Sequence, residues 1–242
     1  MSMKEFNALD GALLIDKPAG PTSHDIVDTV RQCYRIKKVG HCGTLDPAAT
    51  GLLTLLLGKA TKLSEKMMSD DKVYVGSMKL GETTNTFDAE GEIDETKPVP
   101  GLTLEALQEK ANDFLGDQLQ LPPMVSAIKI DGTPLYKLAR KGIEVERRKR
   151  FIHLYNFQIT EYEPPFAWFK VACTKGTYVR SLAHDLGQAL GCGAHLAGLR
   201  RTVSGKFKVS AATPLEELTT LSPDDLARCV VPMLQLSAAT ES

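Results

Sequence analysis

The run GLLTLLLG at residues 51–58 constrains the chain more than any other stretch. It is too apolar to lie on a surface and far shorter than the roughly 18 residues that a bilayer-spanning helix needs, so it reads as a buried strand. Immediately before it, HCGTLDPAAT (41–50) sets one carboxylate, Asp46, between Leu45 and Pro47. The proline disfavours helical dihedrals at Asp46, and Gly43 and Gly51 permit tight turns or close approach on either side. The carboxylate is therefore expected on a stiff, irregular loop. Two uses are open to it: capping a turn begun at Pro47, or chemistry.

Around this core the periodicities alternate between strand and helix. GALLIDK opens with a strand over 12–16, and Thr22 with Asp25 three residues later makes a capping box for a helix carrying Ile26, Val27, Val30, Cys33 and Tyr34 on one face. KATKLSEKMM predicts a helix, KVYVGSMKL a strand, and the acidic GETTNTFDAEGEIDET a loop. LTLEALQEKANDFLG predicts an amphipathic helix and FAWFKVAC a strand. TYVRSLAHDLGQAL predicts a helix capped by Thr177 and stopped by the glycines of GCGAHL. With no internal repeat and no low-complexity linker, one extended α+β domain is the expectation.

The 29 Lys and Arg balance 30 Asp and Glu, so a polyanionic partner would have to be met by a local patch. One exists. QLPPMVSAIKIDGTPLYKLARKGIEVERRKR moves from Pro-rich to basic and gathers Lys129, Lys137, Arg140, Lys141, Arg147, Arg148, Lys149 and Arg150, with Tyr136 among them. Such a strip suits an RNA backbone, and equally a solvated face. Five scattered cysteines without a C-x-x-C favour reduced thiols over disulfides or a zinc ribbon. The start of the chain has no signal-peptide pattern, and a cytoplasmic location is expected.

Other candidates weaken on inspection. GLLTLLLGKAT imitates a phosphate-binding loop, but its glycines are too far apart, Ala60 follows Lys59, and leucines fill the phosphate cradle. His184, Cys192 and His195, or His41 beside Cys42, lack the spacing of a metal site. Arg180 falls in the first turn of its helix, where the dipole disfavours a cation by roughly 0.3–1 kcal/mol, so it wants an anion nearby unless it is simply exposed.

The residues then resemble a known family. HCGTLDPAATGLL is similar to the G-x-L-D-P-x-A-x-G signature of the pseudouridine synthases, in the form found in the bacterial enzymes that modify the tRNA T loop. LLIDKPAGPTSHDIV, KVYVGSMKLGETTNTFDAEGEI, QLPPMVSAIKIDGTPLYKLARKGIEV, KGTYVRSLAHDLG and GCGAHLAGLRRTVSG match in order, covering roughly residues 10–206. The resemblance implies the α+β pseudouridine synthase fold: a central mixed, mostly antiparallel sheet flanked by helices, with an RNA-clamping insertion. It implies a catalytic domain over 1–215, the insertion at 121–152, and a short helical segment over 216–242 in place of the further RNA-binding domain of many relatives.

It also implies roles. Asp46 would be the catalytic carboxylate acting on a flipped uridine, and Arg180 would lower its pKa and aim it. Tyr74, which without the resemblance reads as a core aromatic, would stack on the base and is a candidate for removing the ring proton. Tyr178 and Leu199 would line the uracil pocket, and His41 would fill space that flipped nucleotides vacate. Lys17 would support the catalytic loop. Lys129, Tyr136, Arg140, Arg147 and Arg148 would clamp the T stem-loop of tRNA. No cofactor, metal or membrane is implied, and a monomer is expected. Two rivals remain: a noncatalytic RNA-binding module, and an N-glycoside hydrolase with Asp16 or Asp185 as second carboxylate.

Overall fold

The computed structural model describes residues 9–126, 128–130, 132–139, 141–143 and 145–237. In chain order the elements are β1 (Gly11–Lys17), α1 (Ser23–Tyr34), β2 (Val39–His41), β3 (Thr50–Leu57), a 3-10 turn (Gly58–Leu63), α2 (Ser64–Met68), β4 (Lys72–Leu80), β5 (Glu82–Thr84) and β6 (Ile93–Thr96). Next come α3 (Leu104–Asn112), β7 (Gly116–Gln120), β8 (Lys129–Ile130), β9 (Thr133–Pro134), α4 (Leu135–Ala139), β10 (Arg150–Glu163), β11 (Phe166–Cys173) and α5 (Val179–Ala189). The chain finishes with β12 (Ala194–Ser204), β13 (Phe207–Lys208), β14 (Thr213–Pro214), α6 (Leu215–Leu218), α7 (Pro223–Cys229), β15 (Val230–Pro232) and α8 (Met233–Ser237). The fold is α+β, a mixed and mostly antiparallel sheet flanked by helices. Where one extended domain was expected, the chain divides into two compact units, residues up to 73 with those from 200 onward, and residues 74–199.

In the first unit β1 pairs antiparallel with β3, Leu13 opposite Leu55, and β2 continues the sheet beyond β3. The end of β12 runs parallel to β3, with Arg201 opposite Gly51. Leu52, Leu53, Leu55, Leu56 and Leu57 are all fully buried. Successive strand residues point to opposite faces, so both faces of β3 are covered. Each such leucine contributes about 1.5–3 kcal/mol relative to exposure. Helix α1 starts where expected, with the reciprocal Thr22–Asp25 capping box in place. The expected helix after β3 is a 3-10 turn followed by only five helical residues. The segment over 216–242 is more than helical: β15 pairs with β1, as does β14 just before the segment, and the Tyr34 hydroxyl donates to the carbonyls of Leu218 and Leu221.

In the second unit the order is β12, β4, β11, β10, β7, with long antiparallel pairing of β10 and β11. Strands β4 and β11 end where the sequence predicts. The stretch expected as an acidic loop is a small hairpin, β5 with β6, and Thr83 and Thr84 at its root are buried. Gly76 on β4 is required by close approach: a Cβ there would lie 2.5 Å from the Gly198 carbonyl and 2.8 Å from the Phe169 ring.

Candidate functional site

In the first unit the Asp46 loop is fixed residue by residue. Ser23, the first residue of α1, holds Leu45 from both sides: its hydroxyl donates to the Leu45 carbonyl (3.0 Å) and accepts from the Leu45 amide (2.9 Å). Lys17, at the end of β1 and fully buried, donates from Nζ to the carbonyls of Pro18 (3.0 Å), Pro47 (2.9 Å) and Ala49 (2.7 Å). Arg201, on β12 and 1% exposed, donates from Nε to Leu52 (2.8 Å), from Nη2 to Gly43 (3.1 Å) and from Nη1 at 3.5 Å to Thr44.

Two buried cations thus tie down the chain before and after Asp46, each desolvated charge being met by backbone oxygens. The Asp46 carbonyl itself accepts from the Ala49 amide (3.1 Å), so the turn predicted for Asp-Pro is present. Gly51, at φ +96, lies so close to β12 that a Cβ would sit 2.3 Å from the Arg201 carbonyl oxygen. Lys17 therefore stands where a loop-supporting residue should. Arg201 and Ser23 are supports that no local pattern announces.

Burial, then the nearby Arg201 and His24 charges, hold the His41 imidazole below its usual pKa, which keeps the ring neutral near pH 7. Its neighbour Cys42 is buried and its thiol is pushed up to about 11 by desolvation, which makes it an inert core residue.

In the second unit Arg180 occupies the second position of α5 and is buried. It makes an ion pair with Asp88 (3.3 Å), and it donates to the carbonyls of Thr86 (3.1 Å) and Val125 (2.7 Å). Asp88, which no local pattern singles out, is thus one anion that the first-turn cation calls for. Phe87 beside it holds φ +65 and stacks on His184 with ring centroids 3.9 Å apart. The cap of α5 differs from expectation: the N-cap is Tyr178, and the Thr177 hydroxyl turns back to the Thr174 carbonyl (2.9 Å). The Gln120 amide holds Tyr178 instead, accepting from its N–H (2.8 Å) and donating to its carbonyl (3.1 Å). Tyr74 on β4 is buried, and Leu199 on β12 is half-buried over Gly76.

Within the basic insertion, Arg147 donates to the Pro122 carbonyl (3.0 Å) and the Tyr136 amide donates to the Ser126 carbonyl (3.0 Å). Arg148 and Lys149 are exposed. Lys129 pairs in register with Pro134 in the β8–β9 hairpin, and Arg140 lies outside the described residues. Of the other carboxylates, Asp16 is engaged by both Nη atoms of Arg200 (2.9 and 2.6 Å). Asp185 is raised to about 6 by burial, which the Lys149 charge only partly opposes. Among the described residues no group of three or more His, Cys, Asp or Glu side chains could hold a metal, and no helix is long and apolar enough to cross a membrane.

Comparison with known proteins places this arrangement. Residues 31–179 match the TruB family pseudouridylate synthase N-terminal domain, and residues 180–236 match the tRNA pseudouridylate synthase B C-terminal domain. The tRNA pseudouridine synthase B of Opitutus terrae is 52% identical over 227 residues, 94% of either chain. That of Syntrophotalea carbinolica is 46% identical over 90% of this chain and 71% of its own. Among solved structures, a Cbf5-Nop10-Gar1 complex aligns with a TM-score of 0.73 at 31% identity, over 93% of this chain. An H/ACA RNP bound to a substrate RNA containing 2'-deoxyuridine aligns at 0.70 and 28% identity. This chain spans about three-fifths of the length of those two solved chains. It belongs to the TruB family of pseudouridylate synthases, enzymes that convert uridine in tRNA to pseudouridine.

Proposed function

We propose that the substrate is the uridine at position 55 in the T loop of tRNA, and that Asp46 is the carboxylate that drives exchange of its glycosidic bond. The observation that supports this most is the holding of the Asp46 loop by Lys17 and Arg201: two buried cations are spent on positioning one turn, as preorganised catalysis requires. The reaction breaks the bond between uracil N1 and ribose C1', turns the base and joins its C5 to C1'; C5 gives up its proton and N1 takes one up, so the product is an isomer. The reaction neither gains nor loses electrons, so it needs no redox cofactor.

In this reading the uridine is flipped out of its loop at a cost of a few kcal/mol, and the neutral His41 ring fills vacated space. Tyr74 stacks on the base, Arg180 supplies the guanidinium of the family's KGTY-x-R motif, and Tyr178 and Leu199 keep water from the severed intermediate. Lys17 acts through the loop and not on the substrate. Residues 121–152, with Lys129, Tyr136, Arg140, Arg147 and Arg148, clamp the T stem-loop as an insertion in a catalytic domain over 1–215, completed by the segment 216–242. The enzyme works as a cytoplasmic monomer without metal.

The test is release of tritium from tRNA labelled at carbon 5 of uridine, read beside tRNA binding. Asp46→Asn should abolish release and leave binding within a few-fold. Loss of binding in step with release would make Asp46 a structural turn residue, and free uracil in the wild-type reaction would revive the glycoside hydrolase reading.

A further inference from the structure

The root of the basic insertion carries an exposed apolar surface that the reaction does not explain. β7 leads into the insertion and β10 leads out of it, and the two pair antiparallel with Phe151 directly opposite Leu119 and His153 opposite Asp117. Residues opposite one another share a face, and so do residues two apart along a regular strand, so Phe151 and His153 line up beside Leu119; Tyr155 falls at an irregularity in β10, and it is the contact of its ring with His153 that brings it to the same face. Phe151 is 67% exposed, Leu119 62% and Tyr155 55%. The intervening residues Ile152 and Leu154 are buried on the other face, so the strand's core requirement is already met from that side.

The outward row is also ordered. His153 Nδ1 lies 2.6 Å from Asp117, the His153 amide is fixed by the Thr174 hydroxyl (2.8 Å), and the His153 and Tyr155 rings lie 4.6 Å apart. Two aromatic rings with an imidazole between them are thus held as a shelf. Cations border one end, where Arg148, Lys149 and Arg150, all exposed, run straight into Phe151, while the one carboxylate placed on the shelf, Asp117, is paired with His153.

We infer that this shelf is a second RNA contact, on which unpaired bases of the tRNA outside the T arm stack while the adjoining arginines and lysine meet their phosphates. Exposed rings beside cations are the usual means of holding unpaired nucleotides, because every base offers a π face whatever its sequence. A second copy of the chain fits the surface less well. Two strands over five paired positions offer roughly 17 by 10 Å, well under the 800 Å² or so per partner of a stable dimer, and the basic border would face itself. Stem bases of the T arm are paired and have no free face, and on the proposed function its loop is taken up at the Asp46 site, so the occupant assigned here is unpaired sequence elsewhere in the same folded RNA. The inference rests on the reading that residues 121–152 lie along the tRNA.

The test compares Phe151→Ala, Phe151→Leu and Phe151→Trp in the full chain, measuring binding of whole tRNA and of an isolated T-arm oligonucleotide across a salt series. Phe151→Ala and Phe151→Leu should each weaken whole-tRNA binding about tenfold, Phe151→Trp should retain it, and none should alter the dependence of log K on log salt, because stacking releases no counterions. T-arm binding should be the same for all three. Equal losses on both RNAs, retention by Phe151→Leu, or self-association of the wild type that Phe151→Ala abolishes, would each overturn the inference. Arg148→Ala reports separately on the insertion: its salt slope should fall by about one. An unchanged slope there would fault the RNA reading of the insertion and not the shelf alone.

Discussion

Arg201→Met isolates the contribution of the missed support. The guanidinium is almost wholly buried and makes two well-formed bonds, Nε to Leu52 (2.8 Å) and Nη2 to Gly43 (3.1 Å), with the 3.5 Å approach to Thr44 too long to weigh. Methionine fills much of the side-chain volume but leaves both carbonyls without that donor, at about 1–3 kcal/mol each. Relief from burying a charge offsets part of this. A net loss of about 2–4 kcal/mol follows, which in a chain of this size lowers Tm by about 4–16 °C at some 2–4 °C per kcal/mol.

The loop should feel the change before the rest of the unit, because Gly43 and Leu52 bracket Asp46. Misplacing a reactive group by about 1 Å costs on the order of a hundredfold, so kcat should fall about ten- to a hundredfold with KM within about threefold. Thermal unfolding gives the first quantity and tritium release from labelled tRNA the second, measured well below the variant's Tm. Arg201→Lys keeps the charge but cannot reach both oxygens with a planar fork, so it should fall between the two. A variant that loses the stability yet keeps the wild-type kcat would refute the reasoning, since the loop would then owe its geometry to other contacts.

Lys17→Met should cost less, about 1–2 kcal/mol: the Ala49 carbonyl loses that donor, the carbonyl of exposed Pro18 is open to water in its place, and the Pro47 carbonyl keeps the Gly20 amide at 2.9 Å. A larger drop in Tm than for Arg201→Met would contradict that ranking. Asp185→Asn should stabilise the protein at pH 7.5. With the folded carboxyl near 6 against an ordinary 3.8, the folded chain retains a proton between about pH 4 and 6 that the unfolded chain has released, so stability falls as pH rises through that window. Removing the group should therefore raise Tm by about 2–6 °C above pH 7, after allowance for solvent screening, and by almost nothing below pH 4, as differential scanning calorimetry at the two pH values would show.

What is legible in the sequence is what the chain decides locally. The capping box fixes the start of α1, the uninterrupted leucines fix β3, and β4 and β11 begin and end where apolar spacing changes. β10 is harder to see because its outward face carries Phe151 and Tyr155, which blur the two-residue alternation, and because Arg150 reads as the end of a charge run. β14 and β15 are two and three residues long and exist only because β1 is there to pair with them. The hairpin of β5 and β6 likewise closes over a loop that is polar but for Phe87 and Ala89.

The same division runs through the site. Asp46 announces itself through its immediate neighbours, since Pro47 restricts its backbone and the glycines at 43 and 51 permit the tight turns around it, whatever the fold. Arg200 and Arg201 are adjacent and chemically identical, yet one is half exposed and bonded to Asp16 while the other is sealed beneath the Asp46 loop. A strand turns consecutive residues to opposite faces, so their fates are set by what the sheet places on either side. Those partners lie 149 to 158 positions away along the chain. The Asp46 carboxylate belongs to a motif, whereas its support consists of any buried donor that the topology delivers to a backbone oxygen. Substitutions at positions such as Arg201 should therefore report on positioning more cleanly than substitutions within the motif, where loss of chemistry and loss of geometry arrive together.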